Sequence, residues 1–286
     1  MDIETVTKTV EIKGERFPVV DHGTGPAVLL LHGFPDSRFL WRHQIPVLTA
    51  AGFRVLAPDL RGYGDAPRPT DLRPYRRPFI AADILGLLDA LAVKRAHLVG
   101  HDWGAAMAWR LAGSYPERFD RVVVLSVGAP SSPGWNTIEQ REKSWYFDFF
   151  IKPGIAEEAL KADNWKLFRE WSRGQGDQDR YLRDLARPGA LTAALNWYRA
   201  AFTPLASDEA PLPRLPPWDR IRIPVLGIWS DGDPFLLEPQ MALSVGVVEA
   251  PWCYEKIRGA GHWMMLDKPE ELNRLLVDFL TAMVTP

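Results

Sequence analysis

The chain has 286 residues, which is enough for one large domain with an inserted subdomain and short for two independent domains. Apolar residues make up 47% and charged residues 24%, as expected of a globular protein with a sizeable core. The formal net charge of −2 argues against nucleic acid or an anionic membrane as a partner, because so balanced a surface attracts neither.

The sequence leads us to expect neither a signal peptide nor a membrane span. The first residues show neither a basic segment nor the apolar stretch of a signal peptide, and no run of about 18 apolar residues predicts a membrane span. The single cysteine, Cys253, excludes an internal disulfide and fits a reducing compartment. We therefore expect a cytoplasmic protein in which Cys253 is a buried strand residue.

The first half of the chain alternates strand-like and helix-like segments. Residues 5–12 and 16–21 alternate in the manner of two antiparallel strands. Later strands are predicted from short apolar runs, at residues 27–31, 54–58, 96–99 and 121–126. Helices are predicted between them, at residues 41–51, 80–91 and 105–113. This alternation predicts an α/β protein with a mostly parallel, doubly wound sheet flanked by helices.

The pattern changes between residues 129 and 217. Strand-like runs stop, and helix-like segments rich in Trp and Tyr follow, at residues 144–150, 155–160 and 191–202. A Pro-rich linker at residues 211–217 leads back to strands at 224–229 and near 254–257 and to a last helix at 269–283. We therefore predict a core domain of residues 1–128 and 218–286, with residues 129–217 inserted as a helical cap.

A sharp turn follows the predicted strand at residues 96–99. The segment Gly100-His101-Asp102-Trp103-Gly104 fits the Gly-x-nucleophile-x-Gly elbow, in which a strained turn lifts the central side chain clear of the sheet. We expect glycines at 100 and 104 because the strand and the following helix pass too close for side chains there. The central residue is Asp102, which is therefore the candidate nucleophile.

Two further polar loops follow strands in the order nucleophile, acid, histidine. Ser230-Asp231-Gly232-Asp233 comes after the strand at 224–229, and Gly261-His262 comes after the next strand. Asp233 is the favoured acid, and Asp231 stays open as its competitor. Three such features at strand ends in this order predict a catalytic triad of Asp102, Asp233 and His262.

An aspartate nucleophile restricts the chemistry. A carboxylate attacks a saturated carbon that carries a leaving group and forms an alkyl-enzyme ester. Water deprotonated by His262, which Asp233 orients, would then hydrolyse that ester. The backbone N–H groups of Phe34 and Trp103 are the predicted donors to the oxyanion that forms. This mechanism needs neither a cofactor nor a metal.

Two leaving groups fit the first step. A halide leaves as an anion, whereas the oxygen of an epoxide leaves as an alkoxide that needs a proton. The predicted cap contains two tyrosines, Tyr146 and Tyr198, whose hydroxyls can supply that proton. Spacing alone does not distinguish them from packing residues, so epoxide and halide both stay open at this point.

The motifs resemble those of the epoxide hydrolases in the α/β-hydrolase superfamily. The resemblance covers the chain beyond its first twenty residues and lies in four motifs, His32-Gly33-Phe34-Pro35, Asp59-Leu60-Arg61-Gly62-Tyr63-Gly64, Gly100-His101-Asp102-Trp103-Gly104 and Gly261-His262-Trp263. It implies an α/β-hydrolase fold with an eight-stranded sheet and a cap. It further implies that Tyr146 and Tyr198 bind and protonate the epoxide oxygen and that Asp233 is the charge-relay acid.

The alternative activity is that of a haloalkane dehalogenase, which shares most of these motifs. In that case Trp103 and a cap tryptophan such as Trp135 would hold the halide. The resemblance disfavours it, because Phe34 stands where those enzymes often have a halide-binding asparagine, and Trp103 stands where fluoroacetate dehalogenases have an arginine. A non-catalytic ligand receptor of the same fold is a further alternative, against which the intact triad argues.

The expected substrate is an uncharged, hydrophobic epoxide, with water as the second reactant. Its pocket is predicted to be apolar, as small-molecule sites usually are, and to include Phe34, Pro35, Trp103 and Trp197. The sequence does not show which epoxide or which enantiomer is used. It carries no readable signal of oligomeric state, and a homodimer is compatible with it.

Overall fold

The computed structural model describes residues 2–206 and 209–282, and their strands form one eight-stranded sheet. The strands are β1 (Thr7–Ile12), β2 (Glu15–His22), β3 (Ala27–Leu31), β4 (Arg54–Pro58), β5 (Ala96–His101), β6 (Phe119–Leu125), β7 (Val225–Ser230) and β8 (Trp252–Ile257). Their order across the sheet is β1-β2-β4-β3-β5-β6-β7-β8. β2 pairs antiparallel with β1 and β4, and the remaining pairs are parallel. The predicted mostly parallel α/β sheet is confirmed.

Eleven α-helices lie in the described ranges. They are α1 (Ile45–Ala50), α2 (Arg77–Ala90), α3 (Trp103–Ser114), α4 (Ile138–Lys143), α5 (Tyr146–Phe150), α6 (Ile155–Trp171), α7 (Gln178–Leu185), α8 (Ala190–Phe202), α9 (Glu238–Ala242), α10 (Met264–Asp267) and α11 (Pro269–Thr281). The predicted end of the last helix, Met283, lies outside the described residues. Within residues 2–206 and 209–282, every helix is too short or too polar to span a membrane.

The centre of the sheet is buried on both faces. All five residues of β3 and all six of β5 are buried. In agreement with this burial, β3 is a continuous apolar run, and the polar residues of β5 are two histidines, His97 and His101. The two strands pair in parallel, with Leu29 opposite Leu98 and Leu31 opposite Gly100. Their carboxyl ends therefore meet at one edge, where open parallel sheets bind ligands.

Helices α4 to α8 lie between β6 and β7. The division of the chain into a core domain and an inserted cap stays a prediction. The individual helices differ from the predictions. The segment predicted at 144–150 contains α5 and begins just after the end of α4. The helix predicted at 155–160 extends to Trp171, with non-helical backbone angles at residues 162–165. α7 was not predicted, because its sequence is largely polar and it buries only Tyr181 and Leu185. The exact cap boundaries at 129 and 217 stay a prediction.

Polar contacts join the inserted helices to the core. The guanidinium group of Arg76 donates hydrogen bonds to the carbonyls of Ala200 and Thr203, both at 2.7 Å. The indole N–H of Trp197 donates to the carbonyl of Arg61 at 2.8 Å. These bonds attach α8 to the core domain. They are favourable because each donor is buried and has no water to bind in their place.

The prediction that Cys253 is buried is wrong. Cys253 lies on β8 and is exposed. β8 is the edge strand of the sheet, and its residues alternate between partly buried and exposed, so one face is left uncovered. The sequence around Cys253 resembles that of a central strand only in its apolar content.

Candidate active site

Asp102 lies at the junction between β5 and α3. Its backbone angles are φ 52° and ψ −120°, a conformation that costs a non-glycine residue about 1–3 kcal/mol. A Cβ atom at Gly100 would overlap the backbone of Gly104, and one at Gly104 would overlap the carbonyl of Leu31. The two glycines therefore permit the close approach that holds Asp102 in this turn, as the sequence pattern predicts.

His262 contacts the carboxylates of Asp233 and Asp102. Its Nδ1 lies 2.8 Å from Oδ2 of Asp233, and its Nε2 lies 3.8 Å from Oδ2 of Asp102. Asp233 is in turn held by the backbone N–H groups of Phe235 and Leu236, which donate to its Oδ1 at 2.8 and 3.0 Å. The structure thus brings the three predicted triad side chains together in a chain of contacts.

Asp231, the competing acid, lies elsewhere. It is exposed, and its Oδ1 accepts a hydrogen bond from the N–H of Gly259 at 2.7 Å. Its carboxylate therefore closes the turn between two loops, whereas the buried carboxylate of Asp233 is the one that contacts His262.

The predicted oxyanion donors surround the carboxylate of Asp102. The N–H of Phe34 donates to Oδ1 of Asp102 at 2.8 Å, and the N–H of Trp103 also stabilises the charged carboxylate. His32 supports the loop that presents Phe34, because its ring accepts a hydrogen bond from the N–H of Leu60 at 3.0 Å. Oδ1 of Asp102 is thus held by Phe34, while Oδ2 lies on the side of His262.

Burial and neighbouring charges shift the pKa values of Asp102 and His262. Burial raises the pKa of Asp102, while the charge of His262 and the hydrogen bonds from Phe34 and Trp103 oppose that rise. Burial alone would lower the pKa of His262, but the charge and hydrogen bond of Asp233 outweigh it, and the pKa of His262 is raised. His262 is therefore a stronger base than an ordinary histidine.

Tyr146 and Tyr198 lie together beside Asp102. Tyr146 begins α5 and Tyr198 lies on α8, and their ring centroids are 6.1 Å apart. Both rings pack against Phe150, at 5.3 and 5.1 Å. Burial, followed by the charge of Asp102, raises the pKa of both tyrosines well above the ordinary value. Both hydroxyls are therefore protonated at neutral pH and available as hydrogen-bond donors.

A cavity of about 200 Å³ contains these groups. Asp102, Tyr146, Tyr198 and Arg77 supply its polar groups. The rest of the lining is largely apolar, and it consists of Trp103, Ala106, Val127, Gly128, Pro130, Trp135, Phe147, Phe202 and Leu236. Asp102 keeps 16% of its side chain exposed toward this space. A small molecule in the cavity would therefore touch the carboxylate and both phenols.

Of the four residues predicted to line the pocket, one lines the cavity. That residue is Trp103, whereas Phe34, Pro35 and Trp197 are not part of the cavity lining. Trp197 is turned toward Arg61, to whose carbonyl its indole N–H donates. Phe34 lies behind Tyr198, with ring centroids 5.5 Å apart, and contributes its backbone N–H to the site.

Several residues of the site were not predicted from the sequence. Gln140 of α4 holds the loop after Asp233, since it donates to the carbonyl of Phe235 at 2.8 Å and accepts from the N–H of Leu237 at 2.8 Å. Gln175, also from the inserted segment, accepts from the N–H of His262 at 3.0 Å. These glutamines lie far from the triad in sequence, and no motif marks them.

The buried carboxyl group of Asp36, close enough to the triad to be affected by its charges, was also not predicted from the sequence. Asp36 accepts a hydrogen bond from the indole N–H of Trp263 at 2.8 Å, and its burial raises its pKa to about 7. The charges of Asp102 and His262 act on it as well. Asp36 directly follows the His32-Gly33-Phe34-Pro35 motif, and that position was the only sequence signal available.

Comparison with known proteins agrees with this geometry. Residues 26–269 match the family model of the alpha/beta hydrolase fold. Epoxide hydrolase A of Mycobacterium tuberculosis is 33% identical, over 96% of this chain and 97% of its own length. Bifunctional epoxide hydrolase 2 of Sus scrofa is 31% identical over 93% of this chain, which spans 53% of that protein. The crystal structure of Epoxide Hydrolase A from Mycobacterium thermoresistibile matches with a TM-score of 0.81 and 30% identity, over 98% of this chain and 99% of that one. The chain therefore belongs to the α/β-hydrolase superfamily and, within it, to the epoxide hydrolase family.

Proposed function

We propose that this protein hydrolyses an epoxide to a vicinal diol, with Asp102 as the nucleophile. The observation that carries the proposal is the cavity itself, in which the carboxylate of Asp102 and the hydroxyl-bearing rings of Tyr146 and Tyr198 line the same space. The names of the relatives support the substrate class, because both curated relatives described above are epoxide hydrolases. The reaction needs only water besides the epoxide, and no cofactor.

The first step is the opening of the ring. Oδ2 of Asp102 attacks one ring carbon, the bond between that carbon and the epoxide oxygen breaks, and the oxygen takes a proton from Tyr146 or Tyr198. The product is an ester between Asp102 and a β-hydroxyalkyl group. Oδ1 becomes the ester carbonyl oxygen and already accepts the hydrogen bond from Phe34.

The second step is hydrolysis of that ester. His262 takes a proton from a water molecule, which attacks Cγ of Asp102, and Asp233 stabilises the imidazolium that forms. The negative charge that develops on Oδ1 is stabilised by the N–H groups of Phe34 and Trp103. The intermediate then collapses: the bond between Cγ and Oδ2 breaks, Oδ2 takes the proton from His262, and the diol leaves with the former Oδ2 in its new hydroxyl group. The carboxyl group that remains contains one oxygen from water, and it loses its proton, which returns through solvent to the tyrosine.

Dehalogenation is the alternative that uses the same nucleophile. It would require two indole N–H donors for the halide, from Trp103 and Trp135. The N–H of Trp135 already donates to the carbonyl of Ala129 at 2.9 Å. Of these two indoles, only that of Trp103 has an N–H without a hydrogen-bond partner among the described residues. The indole N–H groups of Trp41 and Trp171 also lack a partner there, but neither residue lines the cavity, so the halide site would lack its second donor. This observation favours the epoxide.

Two predictions about the molecule's setting accompany this proposal. The exposed Cys253 is compatible with a cytoplasmic location, because a free thiol persists in a reducing compartment. A homodimer is tested by light scattering of the purified protein at several concentrations.

The mechanism is tested by one turnover in ¹⁸O-labelled water, with enzyme in excess over styrene oxide. If Asp102 forms an ester, the first diol contains no ¹⁸O. Hydrolysis of the ester by labelled water then places one ¹⁸O in the carboxylate, so that a tryptic peptide that includes Asp102 becomes 2 Da heavier. If water attacks the ring directly, the label enters the diol and the peptide mass is unchanged. The Asp102→Asn variant is the control and should yield neither labelled peptide nor initial diol.

A further inference from the structure

The loop between α6 and α7 reaches over the two loops that carry the acid and the base of the triad. Its residue Gln175 is partly buried, and its side-chain amide forms two hydrogen bonds. Oε1 accepts from the backbone N–H of His262 at 3.0 Å, and Nε2 donates to the carbonyl of Gly232 at 3.4 Å. Gly232 directly precedes Asp233, so one side chain from the helical segment between β6 and β7 binds both catalytic loops.

The two sides of the His262 backbone are held by different parts of the molecule. Its carbonyl accepts hydrogen bonds from Nε2 of His101 at 3.0 Å and from the hydroxyl of Ser126 at 3.3 Å, both at the carboxyl ends of central strands. Its N–H donates to Gln175, which is the only acceptor of that group within residues 2–206 and 209–282. Without Gln175, the backbone of His262 would be fixed from one side alone.

Gly261 leaves the space that the amide of Gln175 occupies. A Cβ atom at Gly261 would overlap Oε1, Cδ and Nε2 of Gln175. The backbone of Gly261 is not in the left-handed region, so a side chain is excluded there by this contact and not by strain. The glycine before the catalytic histidine therefore serves the contact with Gln175.

The loop that carries Gln175 is itself anchored. The N–H of Gln175 donates to the carbonyl of Ser172 at 3.0 Å, and its own carbonyl accepts from Nε2 of Gln178. The carboxylate of Asp177 forms an ion pair with Arg42 at 3.1 Å, which attaches the loop to the segment before α1. Gln175 is thus ordered before any substrate binds, as a group that fixes the geometry of a site must be.

We propose that Gln175 is a positioning residue for hydrolysis of the ester, because it holds His262 where Nε2 of the imidazole takes the proton from the attacking water. This inference rests on the proposed function. Nε2 lies 3.8 Å from Oδ2 of Asp102, and a displacement of about 1 Å in such a geometry lowers a rate by about 10²-fold. Ring opening depends instead on Asp102 and the two tyrosines, to which the described contacts of Gln175 do not extend.

The test measures the two chemical steps separately. Rapid-quench mass spectrometry at saturating styrene oxide gives the rate at which the ester on Asp102 approaches its steady-state level, and that level as a fraction of the enzyme. The product of the two is the rate constant for ring opening, and the rest of the approach rate is the rate constant for hydrolysis. Gln175→Leu removes both hydrogen bonds and should lower hydrolysis by about 10- to 10²-fold while ring opening is unchanged.

Two further variants separate positioning from a general structural effect. Gln175→Glu keeps an acceptor for the N–H of His262 and should restore most of the hydrolysis rate that Gln175→Leu loses. Asn273→Ala is the matched control, because it removes a buried amide that donates to the carbonyl of His43 and contacts neither catalytic loop. It should leave both rate constants unchanged even where it lowers stability.

The same contact can be broken from the opposite side. Gly261→Ala introduces the Cβ atom that overlaps the amide of Gln175 and should slow hydrolysis as Gln175→Leu does. In a Gln175→Ala background the overlapping atoms are absent, so Gly261→Ala should cause no further loss there. Such non-additivity is expected of two residues that act through one contact.

The results distinguish this inference from the proposed function. If Gln175→Leu slows neither step or slows both equally, or if Gln175→Glu is as slow as Gln175→Leu, the inference is wrong and the proposed function stands. An equal effect of Gly261→Ala with and without the Gln175 side chain would also overturn it. If the wild type forms no ester on Asp102 with any epoxide, the proposed function fails and this inference fails with it.

Discussion

Asp233 and His262 form a buried pair, with Oδ2 of the carboxylate 2.8 Å from Nδ1 of the imidazole. The other carboxylate oxygen accepts two backbone hydrogen bonds, from Phe235 and Leu236. The carboxylate is therefore fixed before any substrate binds, and it sets which ring nitrogen of His262 carries the proton. The opposite nitrogen, Nε2, is directed toward Asp102.

Replacing Asp233 by Asn should slow hydrolysis of the ester more than formation of the ester. The amide keeps the shape of the loop but loses the charge that stabilises the imidazolium, for which a loss of about 10²- to 10⁴-fold in the hydrolysis step is expected. Rapid-quench mass spectrometry should show the ester on Asp102 accumulating. The matched control is Asp231→Asn, two residues away and exposed, which should behave as wild type. Equal effects of the two substitutions would contradict the assignment.

The rate of ester hydrolysis should titrate with His262. The imidazole accepts a proton only when neutral, and its pKa is raised by Asp233 against the opposing effect of burial. The active form is therefore lost as the pH falls through a value above 6.5, the ordinary pKa of histidine. The pKa values of Tyr146 and Tyr198 are raised, so neither tyrosine should produce a loss of ring opening below about pH 10. Single-turnover rates from pH 5 to 10 would check both limits.

Replacement of the two cavity tyrosines by Phe should affect ring opening selectively. Each single variant leaves one phenol to protonate the oxygen, whereas Tyr146→Phe/Tyr198→Phe removes both, and general acid catalysis contributes about 10²- to 10⁴-fold. The double variant should thus lose epoxide turnover almost completely, measured as the rate of ester formation. Tyr254→Phe is the control, because Tyr254 lies on the edge strand β8, its hydroxyl donates to Glu238 of α9, and it does not line the cavity. Undiminished ester formation in the double variant would exclude the tyrosines as acids.

Gln140 should contribute to stability and to hydrolysis. It is buried, and its amide forms hydrogen bonds with the carbonyl of Phe235 and the N–H of Leu237. Gln140→Ala leaves both backbone groups without partners, which costs about 1–3 kcal/mol for each group that stays buried. A urea titration should show this loss, and ester hydrolysis should slow because the same loop carries Asp233. In contrast, Asn273→Ala removes a buried amide of α11 that donates to the carbonyl of His43, and it should lower stability but leave hydrolysis unchanged.

The folding stability should depend on pH through Asp36. Burial raises its pKa to about 7, whereas the ordinary value is 3.8. Between these two pH values the folded protein binds more protons than the unfolded chain, so the free energy of unfolding falls as the pH rises. Asp36→Asn does not titrate and should gain stability relative to wild type from pH 4 to pH 8, by up to about 4 kcal/mol. A stability difference that is constant over this range would contradict the shift.

The amino-acid sequence was sufficient for features that depend on local pattern. The apolar run of β3 predicts a buried strand, because a strand covered on both faces is formed mainly by apolar side chains. The glycines around Asp102 predict the sharp turn, because only glycine fits where β5 and α3 approach so closely. The identity of the residue at that turn then restricts the chemistry to attack on a saturated carbon.

Sequence patterns were insufficient where direction in space matters. Asp231 and Asp233 are two residues apart on one loop, yet only Asp233 faces His262, because hydrogen bonds from Phe235 and Leu236 fix its orientation. Trp197 precedes Tyr198 directly in the chain, yet its indole N–H donates to the carbonyl of Arg61 and it does not line the cavity. The exposure of Cys253 likewise follows from the edge position of β8, which no local pattern reports.

By itself, the sequence determined the fold class, the turn at Asp102 and the order of the polar loops that follow the strands, because each arises from neighbouring residues. Only the tertiary structure decided that Asp102, Tyr146 and Tyr198 share one cavity and that Arg77, which no motif marks, lines it as well. These residues lie between 25 and 121 positions apart in the chain. Their proximity depends on how the inserted helices pack over the carboxyl edge of the sheet, which is a property of long-range packing rather than of local propensity.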